Sequence, residues 1–376
     1  MEDTFIKIHR WLYPFSFMYG IGVRVRNKMF DWGILQSRRF DIPIISIGNI
    51  TVGGTGKTPQ TEYLIKLLRE EFRIAVLSRG YKRKSKGFFL AKEDTPAQII
   101  GDEPYQMKKK FPEICMAVDK NRCHGIDELL KGKQDNLLDV ILLDDAFQHR
   151  YVQSGINILL IDFYRLICDD TLLPAGRLRE PASSKHRANI VVVTKCPTHI
   201  KPMDFRIISK QLNLYPYQRL YFTSFRYKEL YPLFSEKELP TRTLDSLKVD
   251  EQILLLTGIA SPQQLIQDLE SYNKNIHALT FEDHHNFTKN DLRLLKKTFD
   301  ELPGNKKIII TTEKDAARII QYSYLDDSLK EAFYTLPIEV DFLQEQQDTF
   351  NENIIGYVRK NKRNSILSKR KNEHKS

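Results

Sequence analysis

Residues 51–58, Thr-Val-Gly-Gly-Thr-Gly-Lys-Thr, could grip a chain of phosphates. Glycines let a backbone turn its N–H groups inward, often at positive φ, as an anion cradle requires. Lys57 is placed to reach the β- and γ-phosphates, and the Thr58 hydroxyl to bind Mg²⁺. The Walker A pattern G-x-x-x-x-G-K-[ST] fits from Gly56 onward, but Thr51 stands at its first glycine. Gly53 and Gly54 partly offset that departure, and Val52 and Thr55 complete the loop. Downstream, the apolar run Val140–Leu143 ends in Asp144-Asp145. An apolar strand ending in Asp is the Walker B arrangement, whose carboxylate holds Mg²⁺. Strands commonly end in Asp at turns, so this signal gains weight only beside the phosphate loop. Two carboxylates on one metal repel, so Asp144 and Asp145 should differ in role. Gln148 and His149 follow within a turn and could face the same cleft.

Other groups could handle an acceptor. Gly101-Asp102-Glu103-Pro104 reads as a tight turn with two carboxylates, either a polar surface turn or a proton acceptor for a reacting hydroxyl. Phe281-Glu282-Asp283-His284-His285-Asn286-Phe287 sets two histidines among acids, structural or functional with equal weight. Leu178-Arg179-Glu180-Pro181 is a surface ion pair or a clamp for phosphate and metal. Thr194-Lys195-Cys196-Pro197 lacks the Asn and Asp of a guanine-reading N-K-x-D, which leaves ATP as the nucleotide.

The elements that must carry these groups read as α/β. Pro43–Asn49 is a short apolar run before the loop. In the helix after it, Tyr63, Leu64, Leu67 and Leu68 mark one face, and Pro59 sits where a missing N–H costs little. Further apolar runs at Arg73–Ser78, Ile114–Val118, Val140–Leu143, Ile156–Ile161 and Ile190–Thr194 alternate with helical segments. That alternation predicts a P-loop NTPase-type, mainly parallel sheet covered on both faces. Ile253–Thr257, His277–Phe281, Ile308–Thr312 and Phe333–Val340, with helical Lys289–Phe299, predict a second, smaller α/β domain. The expected division is 1–32 as an N-terminal helix, 33–220 as the kinase core, 221–350 as the second domain and 351–376 as a basic, disordered tail.

Residues 1–32 are short of a membrane span. Their longest uncharged run, Trp11 to Val23, has thirteen residues, where spanning takes about 20. Phe5, Ile8, Trp11, Leu12, Phe15, Met18, Tyr19 and Val23 recur at three- and four-residue steps, flanked by Lys7, Arg10, Arg24, Arg26 and Lys28. This suits a helix lying in a membrane interface, and equally one packed on the protein's own core. The net charge of +10 is concentrated at the other end. Residues 359–376 carry eight cationic side chains against Glu373, or +7, which leaves +3 for the rest. The body is therefore no nucleic-acid binder, and the tail is either a solvated end or a contact for anionic headgroups. Four cysteines without metal-ligand spacing read as reduced thiols of a cytoplasmic protein, and no signal peptide is expected. On these residues alone, a kinase of a soluble small molecule and a nucleotide-dependent switch without an acceptor stay open.

Together, the N-terminal helix, Ile45–Pro59, Ser78–Tyr81, Gly101–Pro104, Asp144–His149, Leu173–Pro181 and Phe281–Phe287 resemble the tetraacyldisaccharide 4′-kinase (lipid A 4′-kinase) family. The stretches span nearly the whole chain in the family's order, and Thr at the first loop position is typical of it. Ala146-Phe147 departs from the family's usual Gly-Leu, and the basic tail is not part of the family core. The resemblance implies transfer of the γ-phosphate of ATP to the 4′-hydroxyl of an acylated glucosamine disaccharide 1-phosphate. It suggests Asp102 as base or orienting group, assisted by His284, with Lys57 and Arg179 on the transferring phosphoryl group. Thr58, Asp144, Asp145 and Glu180 would organise Mg²⁺, and Arg79, Tyr81, Arg122, Gln148 and His149 would contact the disaccharide. The N-terminal helix would dock on the cytoplasmic face of the inner membrane of a Gram-negative-type bacterium, with no nucleic-acid or protein partner implied.

Overall fold

Runs of aliphatic residues buried on both faces set the architecture. The computed structural model describes residues 8–131, 138–234, 240–260, 262–283, 285, 287–320, 322 and 325–373, with side chains as far as 362. After helix α1 (Tyr13–Asp31), strand β1 (Ile44–Gly48) runs into the glycine loop and helix α2 (Lys57–Leu68). Strands β2 (Ile74–Ser78) and β3 (Phe89–Leu90) precede the short helix α3 (Ala97–Ile100) and helix α4 (Asp102–Lys110). There follow β4 (Cys115–Val118), α5 (Arg122–Leu130), β5 (Val140–Leu143), β6 (Ile156–Asp162), β7 (Ile190–Thr194), α6 (Pro202–Leu212) and β8 (Arg219–Tyr227).

A second series comprises β9 (Tyr231–Pro232), β10 (Gln252–Thr257), α7 (Pro262–Glu270), β11 (Ile276–Thr280), α8 (Lys289–Glu301), β12 (Lys307–Thr312), α9 (Glu313–Ile319), α10 (Asp327–Ala332) and β13 (Phe333–Leu336). The chain closes with β14 (Ile338–Phe342) and helix α11 (Gln347–Glu373).

The nine-stranded sheet has the order β14-β8-β7-β6-β1-β5-β2-β4-β3, and the five-stranded sheet β11-β10-β12-β13-β9. In the first, β1 pairs in parallel with both β5 and β6. Later strands therefore fill both sides of β1, and the glycine loop leaves the sheet at this switch point, where open parallel sheets bind ligands. β1, β2, β5 and β7 are buried throughout, which is why they read as unbroken apolar runs. In the second sheet β10, β11, β12 and β13 are parallel, and only β9 is antiparallel.

Unit one comprises Met1–Thr95, Met107–Phe225 and Val340–Ser376; unit two comprises Pro96–Gln106 and Arg226–Glu339. The division differs from 33–220 and 221–350 in two ways. The segment bearing Asp102 groups with unit two, and the C-terminal segment returns to unit one. Residues 351–376 are not a disordered tail as far as Glu373, because the backbone stays helical to that point. Phe350, Ile354 and Val358 on α11 are fully buried. Its Tyr357 hydroxyl meets the backbone of Ile44, and Arg359 pairs with Glu71 at 2.6 Å. Apolar anchors at four-residue steps make this part of the core, and the charge count had hidden them.

Helix α1 reverses the usual order of an amphipathic helix. Its buried residues are Ser16, Gly20 and Phe30. Trp11, Phe17 and Met18 are 74%, 66% and 69% exposed, and Phe15, Ile21 and Val25 are exposed as well. Of the apolar stripe read from the sequence, Trp11, Phe15, Met18 and Tyr19 face outward, Ile8, Leu12 and Val23 are half-buried, and Phe5 lies outside the described residues. Among the described residues, no helix is long and apolar enough to cross a membrane.

Candidate active site

The glycine loop is held by neutral bonds from below and an ion pair from beside. Buried Asn49, at the end of β1, donates to the Thr55 hydroxyl at 2.8 Å. Thr194, at the end of β7, donates to the Thr55 carbonyl at 3.0 Å. Lys195 bonds the Gly54 carbonyl and pairs with Asp162, at the end of β6, at 2.8 Å. Gly56 has φ 76° and caps α2; a Cβ there would also press on the Phe225 ring at 3.2 Å. Gly53 is likewise left-handed, at φ 108°. The loop is therefore pre-shaped, and it leads into the positive end of α2.

Asp144 and Asp145 have the different roles that repulsion demands. Asp144 is 5% exposed; it accepts from the Ser78 hydroxyl at 2.9 Å and the Thr61 hydroxyl at 3.4 Å. Asp145 turns outward at φ 47°. Its carboxylate lies 3.6 Å from Lys57 Nζ and 4.0 Å from Arg179 Nη1. Non-glycine residues rarely sit in that region, and such strain concentrates at functional sites. Partly exposed pairs of this kind contribute less than about 1 kcal/mol, so an incoming phosphate can displace the carboxylate from both cations. The buried Lys195–Asp162 pair behaves oppositely, since removing one partner of such a pair costs about 3–5 kcal/mol.

Arg179 reaches this point because its segment is sewn to the loop's entrance. Val52 N–H donates to the Arg177 carbonyl at 2.8 Å, and Arg179 N–H to the Ile50 carbonyl at 2.7 Å. Thr51 and Leu178 form an antiparallel bridge. Glu180 is 2% exposed; its Oε2 pairs with Arg187 at 2.6 Å, while buried Oε1 has no partner among the described residues. No three His, Cys, Asp or Glu side chains among the described residues converge into a metal cage.

The residues assigned to the disaccharide divide. Arg122 is 2% exposed and donates to the carbonyls of Asp119 at 2.6 Å and Asp144 at 2.9 Å. Burial lowers its pKa to about 10. In this structure it braces the ends of β4 and β5 and does not face outward, where the resemblance had implied a contact with the disaccharide. His149 is half-buried, and its Nε2 has no partner among the described residues. Burial first, then Arg122, Arg26 and Arg79, lower its pKa to about 4. It therefore stays neutral beside cationic neighbours, an environment that favours an anion. Arg26, on α1, donates to the Gln148 carbonyl at 3.4 Å; from sequence it stood out only as one of the basic residues flanking the apolar stripe. Tyr81 is exposed.

Within unit two, Asp102 begins helix α4 and is not in a tight turn. Arg318 on α9 reaches it with Nε and Nη2, both at 2.8 Å. The same guanidinium pairs with Asp315 at 3.1 Å. Asp315 is fully buried and accepts from Gly258 N–H at 2.9 Å and the Thr312 hydroxyl at 2.8 Å. A chain of bonds thus fixes the Asp102 carboxylate from β10 and α9. Glu103 lies 3.7 Å from Lys314, which also meets Asp283 at 2.9 Å. Arg318 and Lys314 were not singled out in sequence, where Glu313–Ile320 reads only as the helix after the strand Ile308–Thr312. His284 lies outside the described residues. His285 is structural: it bonds Asp291 at 2.9 Å, inside the capping box of α8, and stacks on Phe281.

Comparison with known proteins follows the same lines. The family model described as Tetraacyldisaccharide-1-P 4′-kinase matches residues 8–358. The chain is 61% identical to the tetraacyldisaccharide 4′-kinase of Phocaeicola vulgatus, covering 98% of this chain and 100% of that one. It is 60% identical to the protein of the same name from Bacteroides fragilis, over 100% of both chains. Among solved structures, LpxK from Aquifex aeolicus in complex with ATP is 28% identical, with a TM-score of 0.69 over 93% of this chain and 99% of that chain.

Proposed function

We infer that this chain, which belongs to the tetraacyldisaccharide-1-P 4′-kinase family, is an ATP-dependent lipid kinase that phosphorylates the 4′-hydroxyl of tetraacyldisaccharide 1-phosphate in lipid A biosynthesis. The observation that carries the reading is the convergence of Lys57 and Arg179 on Asp145 at the mouth of the glycine loop. Two cations at one point suit a transferring phosphoryl group, whose catalysis is mostly positioning and charge neutralisation.

Loop residues 51–58 bind the ATP phosphates, with Lys57 and Arg179 releasing Asp145 to engage the γ-phosphate. Mg²⁺, when bound, neutralises charge on the β- and γ-oxygens. Thr58 and Asp145 would hold it, and Asp144 and Glu180 would support it; the orphaned Glu180 Oε1 is consistent with such a role. Asp102, its carboxylate oriented by Arg318, accepts or orients the 4′-hydroxyl proton, and His284 assists. Arg79, Tyr81, Gln148 and His149 contact the disaccharide, with Arg26 added to them. Arg122 supports that surface from beneath.

The outward apolar face of α1 docks on the cytoplasmic surface of the inner membrane. Each large side chain buried there contributes about 1.5–3 kcal/mol. A substrate anchored by acyl chains, at about 0.8 kcal/mol per CH₂, does not come to the enzyme cheaply. The test is transfer of labelled phosphate from ATP to purified tetraacyldisaccharide 1-phosphate, resolved by thin-layer chromatography. A labelled lipid is expected; free phosphate alone would replace the kinase with a nucleotide-dependent switch.

A further inference from the structure

The inward face of α1 touches the segment that carries Arg179 through Ser16, Tyr19 and Gly20. Ser16 is 4% exposed, an unusual setting for a hydroxyl inside a helix that turns aromatic rings to solvent. The hydroxyl donates to the Leu172 carbonyl at 2.9 Å and accepts from Ala175 N–H at 2.9 Å. One turn before α1, His9 N–H donates to the Ala175 carbonyl at 2.9 Å. Gly20 lets the helix come close, since a Cβ there would stand 2.8 Å from Leu172 Cδ1. The Tyr19 hydroxyl donates to the carbonyl of Arg179 itself at 2.9 Å.

These bonds clamp one side of residues 172–179, and the strand-like bonds to Ile50 and Val52 clamp the other. The Arg179 guanidinium is left near Asp145, and its backbone is fixed at both edges. A helix needed only as an anchor has no use for a hydroxyl that satisfies two backbone groups of a catalytic segment.

We propose that Ser16 and Tyr19 are positioning residues for the phosphoryl transfer, acting through Arg179, so that α1 is part of the catalytic frame. The proposal rests on the role given to Arg179 above. A positional error of about 1 Å can cost about 10²-fold in rate, so loosening the segment should lower kcat and leave acceptor affinity largely alone.

The experiment is a double-mutant cycle on the full chain, with a short-acyl, water-soluble disaccharide 1-phosphate as acceptor. Tyr19→Phe keeps the ring and removes one hydrogen bond, and Ser16→Ala removes two. Each is measured alone and combined with Arg179→Ala. The expected result is a fall in kcat of about 10-fold for each single variant, with KM for the acceptor within about two-fold. In the Arg179→Ala background the added effect should vanish, because residues acting through one another are not additive. An undiminished effect in that background, or a loss confined to KM, overturns the proposal. If Ser16→Ala fails to fold by thermal melting, Tyr19→Phe decides alone. If Arg179→Ala itself retains normal kcat, the role of Arg179 is refuted, a result distinct from additivity.

Discussion

The glycine loop and the Asp102 cluster place charged groups by opposite means. The loop is nearly contiguous: eight residues in a row supply amides, an ammonium and a hydroxyl, and β1 and α2 set their direction. The Asp102 cluster comes from three distant segments, with the carboxylate on α4, the guanidinium on α9 and the buried aspartate's partners at the ends of β10 and β12. A contiguous loop can be recognised from spacing alone. A cluster of distant groups depends on the tertiary fold, so a single change to its brace should disturb it without touching nucleotide binding.

The largest contrast should come from Lys57→Ala, which is expected to lower transfer by about 10³-fold; near-normal turnover in a radiolabel assay would remove the loop from the mechanism. Asp102→Ala should lower kcat by about 10²-fold or more with ATP affinity unchanged by calorimetry. Arg318→Gln should follow it at a smaller magnitude, with a lower Tm, because it leaves Asp315 buried and unpaired. Loss of ATP affinity in either variant would erase the distinction between the two regions. His284→Ala should reduce kcat more than it raises KM, while His285→Ala should chiefly lower Tm by loosening the α8 cap. An equal kcat loss in both would overturn the choice of His284 as the assisting histidine.

The smallest effect concerns acid. His149 has its native pKa lowered from 6.5 to about 4, so its neutral form is favoured in the fold. Below 6.5 the unfolded chain takes up a proton that the native state refuses. Stability is therefore lost as pH falls from about 6.5 to about 4. His149→Gln should flatten that part of a Tm-versus-pH curve, and a parallel curve would show that His149 does not report its surroundings.

Most of the first sheet was legible because its strands are buried on both faces and read as unbroken apolar runs. Val140–Leu143 and Ile190–Thr194 appear in the structure with the same bounds. Strand β8 was not among the apolar runs read from sequence, since Arg219–Tyr227 mixes polar and aromatic residues at the flank of the sheet. Asp102 was legible as a candidate but its partner was not, because Arg318 is 216 positions away and sits in an ordinary helical pattern. The burial of Arg122 was equally hidden, as nothing in the spacing of a cation four positions after a strand shows that it turns inward. For α1, periodicity revealed the apolar stripe, but only the hydrogen bonds of Ser16 and Tyr19 decide which side meets the protein.

The return of the chain through β14 and α11 has an implication for biosynthesis. The nucleotide-holding unit needs Phe350, Ile354 and Val358 for its core, yet the whole of unit two is translated before them. A ribosome emits α1 before unit two and α11 after it. The nascent protein therefore exposes the apolar side chains of α1 while the core of the unit that holds the glycine loop is still incomplete, and a premature stop near residue 345 would yield a sticky product without that core.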